Sequence, residues 1–269
     1  KKASCSIIIV DNSFIHKLDP RTKILSSLAY IIAVFLAAES TSYAAVIGFL
    51  FVVIAFSRLP FILVLKSIKP LWIIILLTLW IHVFTGQGEV LWSWKYLIVT
   101  KEGLAMGIKM SLRLILLLMI SSILTFTTSP IVLTDGIEAI LKPFKKIGVP
   151  AHELAMMMTI ALRFIPTLLE ETDRIMKAQS ARGADFASGN IVRRAKNMLP
   201  ILVPLFISAF RRADELAVAM EARCYRGGEG RTRMHELVYQ QRDMMAACGV
   251  AALLAAMVIL KWGGFLCAI

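Results

Sequence analysis

The sequence predicts an all-α integral membrane protein with about five transmembrane helices and a further region of about three amphipathic helices. Three observations lead to this prediction: an apolar composition, a series of separate apolar stretches, and one long charged block. Hydrophobic residues make up 58% of the 269 residues, and the mean hydropathy is +0.74. In soluble globular domains, apolar residues usually make up about half of the chain or less.

The first two apolar stretches run over residues 24–38 and 42–57. A charged turn, Asp19-Pro20-Arg21-Thr22-Lys23, opens the first stretch, and Glu39-Ser40-Thr41 separates it from the second. Neither stretch contains a charged residue. We therefore expect one transmembrane helix from each.

The third apolar stretch, residues 71–84, is short for a span, since about 20 apolar residues are needed to cross the hydrocarbon core. It reaches that length if residues 61–69 contribute, with the two lysines there extending toward the interface or facing protein. The residues that interrupt the pattern are Arg58, Pro60, Lys66, Lys69 and Pro70. A polar, tryptophan-rich loop follows, as is typical at a membrane–water interface; it contains Gly86, Gly88, Trp92, Trp94 and Tyr96.

The fourth stretch covers residues 103–128, and the last begins near Met245 and continues to the C-terminus. Gly103 and Gly107 form a small-xxx-small pair, a pattern that allows two membrane helices to pack closely. The predicted organisation is an N-terminal membrane region of about four spans over 1–128, a region of amphipathic helices over 129–245, and a C-terminal transmembrane helix over 246–269.

The distribution of basic residues predicts a cytoplasmic N-terminus. Basic residues are frequent before the first span and between the second and third, at Lys1, Lys2, Lys17, Arg21, Lys23, Arg58, Lys66 and Lys69. The Glu39 turn has none, and the tryptophan-rich loop has only Lys95 and Lys101. Because cytoplasmic loops carry an excess of lysine and arginine, a five-span topology also places residues 129–245 in the cytoplasm.

Residues 129–245 form the charged block, with seventeen of the thirty basic and thirteen of the eighteen acidic residues. Prolines or an arginine interrupt its apolar runs: residues 198–210 contain Pro200 and Pro204, and residues 154–169 contain Arg163 and Pro166. We predict amphipathic helices over 131–147, 151–183 and 191–225, lying at the membrane interface. The alternative is that two of these helices cross the membrane, which would give seven membrane-spanning helices in all. The arginine and the prolines do not exclude this alternative.

The net charge of +12 favours contact with anionic lipid headgroups of the bilayer rather than with nucleic acid. The basic residues flank apolar segments, as the positive-inside bias requires, and no nucleic-acid-binding signature accompanies them. The predicted location is therefore a cell membrane, which the chain crosses several times.

Neither metal binding nor catalysis is predicted. The cysteines and histidines are scattered and lack metal-site spacing; they are Cys5, Cys224, Cys248, Cys267, His16, His82, His152 and His235. Gly228-Glu229-Gly230-Arg231-Thr232 lacks the lysine and glycine spacing of a P-loop. The carboxylates Glu170, Glu171 and Asp173 fit a solvated helix face better than an acid–base site. We expect no cofactor and no catalytic residue.

Two short arginine motifs stand out within the charged block: Ala181-Arg182-Gly183 and Ala222-Arg223-Cys224. Each closes a long helical pattern, where an arginine complements the negative end of the helix dipole and a glycine just beyond ends the helix cleanly. Two such tips could dock into two similar sockets on partner proteins. The alternative is two ordinary capped and solvated helix ends.

Three segments resemble the transmembrane T component of energy-coupling factor transporters, the membrane scaffold of vitamin and metal importers. Residues 163–183, containing Arg163-Phe164-Ile165-Pro166 and Ala178-Gln179-Ser180-Ala181-Arg182-Gly183, resemble the first family signature, and residues 219–228 resemble the second. Residues 18–23 resemble the family's N-terminal segment. Cys224 stands where the second signature often has glycine, so we expect Gly227 and Gly228 to end that helix a turn later.

The resemblance implies a non-catalytic subunit of a prokaryotic plasma membrane, with two kinds of protein partner. Its partners would be two ATP-binding-cassette ATPase subunits and a small membrane subunit that binds the substrate, the S subunit, possibly interchangeable with others of its kind. Arg182 and Arg223 would insert into grooves on the ATPases, with the small residues Ala181, Gly183, Ala222 and Cys224 beside them. Arginine suits this role, since its planar guanidinium can grip carboxylates or carbonyls through two bonds. The carried vitamin or metal is left open.

Methionines suggest where the substrate-binding subunit makes contact. Nine of the thirteen methionines fall between residues 151 and 245, including Met156, Met157 and Met158. Flexible thioether side chains suit a surface that repacks against different partners. The alternative is ordinary packing between amphipathic helices.

Two rival functions follow from other residues. A self-sufficient carrier or channel would use Lys109 and Arg113 to line a polar path within the fourth span. A membrane-embedded enzyme would use Glu170, Glu171 and Asp173. The first rival predicts that the purified chain alone binds and moves solute, and the second that carboxylate substitutions abolish turnover while assembly survives.

Overall fold

The computed structural model describes residues 13–37, 39–58, 60–85, 89–94, 97–184, 186, 191–227 and 237–266. Apart from one short β-hairpin, the regular structure in these segments is helical. The chain divides into two compact units, Lys1–Ile137 with Glu236–Ile269 (unit 1) and Glu138–His235 (unit 2).

Unit 1 begins with α1 (Pro20–Leu36) and α2 (Ser40–Ser57). It continues with the short α3 (Phe61–Lys66), a 3-10 turn (Lys69–Leu71) and α4 (Trp72–Thr85). Asp19 caps α1, because its carboxylate accepts a hydrogen bond from the Arg21 amide at 2.9 Å, which satisfies one of the free N–H groups at the helix start.

Residues 61–69 do extend the third apolar stretch. Taken together, Phe61–Thr85 is long and apolar enough to cross a membrane. The break between α3 and α4 falls at Pro70, which has no backbone N–H for helical hydrogen bonding. The tryptophan-rich segment that follows is not a simple loop. Strands β1 (Val90–Trp94) and β2 (Leu97–Thr100) pair antiparallel there, while Gly86, Gly88 and Tyr96 lie outside the described residues.

Helix α5 (Lys101–Thr127) follows the hairpin, and α6 (Pro130–Leu141) follows α5 and belongs to unit 1 as far as Ile137. Helix α9 (Gln241–Leu266) is the last helix of unit 1. The hydroxyl of Thr100 caps α5 by accepting from the Gly103 amide at 3.2 Å. The core lies between α1, α2, α5 and α9. Its most buried apolar side chains include Tyr30, Val34, Val46, Leu50, Leu116, Ile123 and Met257.

Unit 2 contains a 3-10 segment (Lys142–Ile147), α7 (Ala151–Ala181) and α8 (Ile191–Ala222). The helix predicted over 131–147 is therefore only partly α-helical, since Pro143 lies two residues after the end of α6 and the chain tightens into 3-10 turns. The other two predicted amphipathic helices are present, and each begins at the predicted residue. Pro166 lies inside α7, and Pro200 and Pro204 lie inside α8.

Five helical segments among the described residues have the length and apolar composition of membrane spans. They are Ser40–Ser57, Phe61–Thr85, Lys101–Thr127, Ala151–Ala181 and Gln241–Lys261. Four coincide with predicted spans. Helix α1 has 17 residues and is not among the five, whereas α7 is, because its first half is apolar and its charges are concentrated in its second half.

Candidate docking site at two helix ends

The first arginine motif forms the end of α7. The helix stops at Ala181, and Gly183 takes a left-handed conformation with φ of 88°. The Gly183 amide donates to the Ser180 carbonyl at 3.0 Å, and the Ala184 amide donates to the Gln179 carbonyl at 3.0 Å. These bonds satisfy carbonyls that a helix end otherwise leaves unpaired. Arg182 therefore sits at the turn where the chain leaves the helix.

The second arginine motif ends α8 in the same way. The Cys224 amide donates to the Glu221 carbonyl at 2.8 Å, and the Tyr225 amide donates to the Met220 carbonyl at 3.1 Å. Cys224 takes the left-handed conformation, with φ of 54°, so it occupies the position that Gly183 has in α7. The expectation that Gly227 and Gly228 end the helix a turn later is wrong, because Cys224 itself adopts the terminating conformation.

The side chains of both motifs are open to their surroundings. Ala181, Arg182, Gly183, Ala222, Arg223 and Cys224 are all exposed. Cys224 carries a free thiol. A small residue lies on either side of each arginine. The two tips thus have the same backbone geometry and the same exposed, bidentate hydrogen-bond donor.

The three methionines suggested for subunit contact lie in the first half of α7. Met157 and Met158 are 58% and 53% exposed, whereas Met156 is half-buried. A larger apolar surface on α8 was missed at the sequence level: Leu199, Val203, Phe206, Ile207 and Phe210 are all exposed. The strong apolar face of this helix was visible in the sequence, but only the structure shows that the face is left uncovered within unit 2.

Of the three carboxylates considered for catalysis, Glu171 has a structural partner. Its Oε2 accepts a hydrogen bond from Arg212 Nη2 at 3.0 Å, joining α7 to α8. Glu170 and Asp173 are exposed. Glu171 is thus engaged with a neighbouring helix, which argues against the acid–base reading of this cluster.

Arg113, suggested to line a polar path, instead ties the α1–α2 turn to α5. Its Nη2 donates to the Ala37 carbonyl and to the Tyr43 hydroxyl, each at 3.2 Å. Its guanidinium also lies over the ring of Phe35, 5.6 Å from the ring centre, close enough for a cation–π interaction. These contacts account for an arginine in an apolar helix without a solute path.

The N-terminal motif forms a buried polar cluster with α5 and α9. The Asp19 amide donates to Asp243 Oδ1 at 2.8 Å, and Lys23 Nζ donates to the carbonyls of His16 and Thr127 at 3.1 Å. Sequence reasoning identified the motif but missed Asp243. A lone aspartate in the first turn of the last apolar helix was the available signal.

Close packing around two glycines completes unit 1. A Cβ atom at Gly107 would lie 3.3 Å from the Leu79 carbonyl oxygen of α4, so the predicted small-residue contact is present there. A Cβ atom at Gly136 in α6 would lie 3.0 Å from the Pro20 Cβ. This second contact was not predicted. Among the described residues, no three His, Cys, Asp or Glu side chains gather as a metal site would require.

The fold and these features define a multi-pass integral membrane protein. Residues 11–235 match the family CbiQ, described as a cobalt transport protein. The chain therefore belongs to the CbiQ family.

Several curated relatives are similar over almost the whole chain. The energy-coupling factor transporter transmembrane protein EcfT of Acidaminococcus fermentans is 69% identical over 252 residues, covering 94% of each chain. The proteins of the same name from Clostridium kluyveri and Bacillus subtilis are 56% and 47% identical, covering 94% and 93% of this chain and 95% and 94% of their own. These relatives confirm the predicted resemblance to the transmembrane T component of energy-coupling factor transporters.

Proposed function

We propose that this chain couples ATP hydrolysis in two partner ATPase subunits to movement of a substrate-binding membrane subunit, in the uptake of a vitamin or other micronutrient. The observation that carries the proposal is the pair of equivalent helix ends, each with an exposed arginine next to a left-handed terminating residue. Two matching tips on one chain suit two ATPases of similar surface. The chain itself supplies no catalytic group in this scheme.

Each tip would dock by inserting its arginine into a groove on one ATPase. The guanidinium has five N–H donors in a planar fork and can pair with a carboxylate or with carbonyl oxygens. Ala181 and Ala222, together with Gly183 and Cys224, keep the tip narrow, so the backbone can approach the groove closely. Closure of the ATPase pair on ATP would then displace α7 and α8.

The substrate-binding subunit would contact the exposed apolar side chains of unit 2. Met157 and Met158 belong to this surface, with Met156 at its edge, and the exposed face of α8 adds Phe206 and Phe210. An exposed apolar surface of this kind is typical of a protein or lipid contact. Its unbranched methionines could repack against more than one substrate-binding subunit.

The proposed topology has the N-terminus and unit 2 on the cytoplasmic side, where the ATPases would be. The distribution of basic residues supports this orientation, and the charged second half of α7 supports an interfacial position for that helix. The apolar first half of α7 favours the alternative of additional spans. In the alternative, residues 151–169 would lie within the bilayer and the arginine tip would still emerge on one side.

The first experiment is to purify the tagged full-length chain from its native membranes in mild detergent and measure the co-purifying ATPases. In the Arg182→Glu/Arg223→Glu variant, the amount of co-purifying ATPase should fall at least about tenfold. The reason is that truncating or reversing a docked charge typically costs about 2–5 kcal/mol of binding free energy. Retention of the ATPases, with transport unchanged in this variant, would contradict the proposal.

The matched control is Arg174→Glu/Arg211→Glu. These arginines lie on the same two helices, are also exposed, and give the same change in net charge. We expect the control to retain both ATPases. Equal loss in the control would mean that overall charge, rather than the two tips, determines binding.

A further inference from the structure

We infer that the Glu171–Arg212 ion pair is the joint that sets the separation of the two arginine tips. The inference rests on the docking function proposed above, because a defined spacing matters only if the tips engage partners. The two charges lie on different helices and meet at 3.0 Å. Each is about one-third exposed, with 33% of Arg212 and 29% of Glu171 accessible.

The pair occupies the same place on both helices relative to the tips. Glu171 precedes Arg182 by eleven residues, and Arg212 precedes Arg223 by eleven residues. At 1.5 Å per residue, each tip is about 17 Å beyond the pair along its helix. The segments between the pair and the tips, residues 172–181 of α7 and 213–222 of α8, are the two arms. A change at the pair would displace the tips at the ends of these arms.

The prolines of both helices lie on the other side of this joint. Pro166 precedes Glu171, and Pro200 and Pro204 precede Arg212. Proline removes a helical hydrogen bond and favours a bend, so we expect any bend in these helices to lie before the pair. The arms between the pair and the tips contain no proline and no glycine, and they are continuous α-helix. We therefore assign the pair the role of holding two uninterrupted arms together beyond two proline-containing segments.

Partial burial makes the pair sensitive to loss of one partner. A half-buried charge that loses its counter-charge is left incompletely solvated, so removing one partner is more costly than removing both. Reversal of one charge places like charges against each other, and exchange of both restores attraction. This asymmetry allows the joint to be tested with single and double variants of the same two residues.

The test measures the distance between spin labels on the two arms in the purified full-length chain, without ATPases. Ala178 and Ala219 suit the labels, because both are exposed alanines that precede their tip arginines by four residues. They are changed to cysteine in a background where serine replaces Cys5, Cys224, Cys248 and Cys267. We expect one narrow distance distribution. Glu171→Arg and Arg212→Glu should each broaden or shift it, and the double exchange should restore it.

Matched controls are Glu170→Arg and Arg211→Glu, the exposed neighbours on the same helices. They should leave the distance distribution unchanged. An unchanged distribution in the two single variants of the pair would overturn the inference. So would failure of the double exchange to restore the distribution, since a merely local packing defect would behave that way.

A second measurement separates this inference from the docking proposal. In the assembled transporter, Glu171→Arg should retain both ATPases but lower substrate uptake per ATP hydrolysed by at least about threefold, a factor typical of one partly exposed ion pair. The double exchange should recover uptake to within about twofold of the original. Unchanged uptake per ATP in Glu171→Arg would contradict the joint, whereas failure of Arg182→Glu/Arg223→Glu to release the ATPases would contradict docking alone.

Discussion

Unit 1 and unit 2 both expose many apolar side chains, but among the described residues only those of unit 1 form an extensive core. Tyr30, Val34, Val46 and Met257 in unit 1 are almost completely buried. In unit 2, the buried apolar residues among those described are Ala151, Ala155 and Ile201. The difference teaches that apolar composition alone does not distinguish a self-supporting helical bundle from helices whose apolar faces need lipid or partner subunits.

The comparison predicts that substitution by aspartate strongly destabilises unit 1 and hardly affects the stability of unit 2. Val34→Asp in α1 places a carboxylate at a site with 0% exposure and should lower the free energy of unfolding by about 4 kcal/mol or more. Met158→Asp, at a site with 53% exposure, should change it by less than about 0.5 kcal/mol. The measurement is thermal unfolding of both variants in detergent.

The Met158 variant also tests the proposed subunit contact. We expect it to reduce co-purification of the substrate-binding subunit by at least about fivefold while the ATPases stay bound, since a desolvated carboxylate in an apolar contact is costly. If Met158→Asp destabilised the chain as much as Val34→Asp does, Met158 would have to be packed inside unit 2, and the comparison would be wrong.

A smaller effect should distinguish a packed glycine from an open one within unit 1. Gly107→Leu forces a side chain against the backbone of α4 and should destabilise the chain by about 1–3 kcal/mol, as overpacking usually does. Gly48→Leu is the control, because nothing lies within 4 Å of its Cβ position. Equal melting temperatures for the two variants would show that α4 is not held by its contact at Gly107.

The smallest effect concerns the two helix ends of unit 2. Gly183→Val puts a β-branched residue at positive φ, which costs roughly 1–2 kcal/mol. Amide hydrogen exchange over the last turn of α7 should become at least about fivefold faster. Cys224→Gly should leave exchange at the end of α8 the same or slower, because glycine adopts this conformation freely. Faster exchange in Cys224→Gly would mean that the thiol itself stabilises that end.

The sequence by itself determined the helical membrane class, most of the spans, the first residues of both long amphipathic helices and the family. These features depend on local patterns: apolar length sets a span, and a left-handed residue after the last turn sets a helix end. The end of α8 was predicted a turn too late, because Cys224 rather than a later glycine ends that helix.

Tertiary structure alone decided which residues meet across the chain. Lys23 reaches the Thr127 carbonyl, Asp243 accepts from the Asp19 amide, and Arg113 binds the Ala37 carbonyl. The pairing of Glu171 with Arg212 likewise depends on how α7 packs on α8. Charged residues at such positions look alike in sequence, because helical periodicity identifies a face but does not identify the helix against which that face packs.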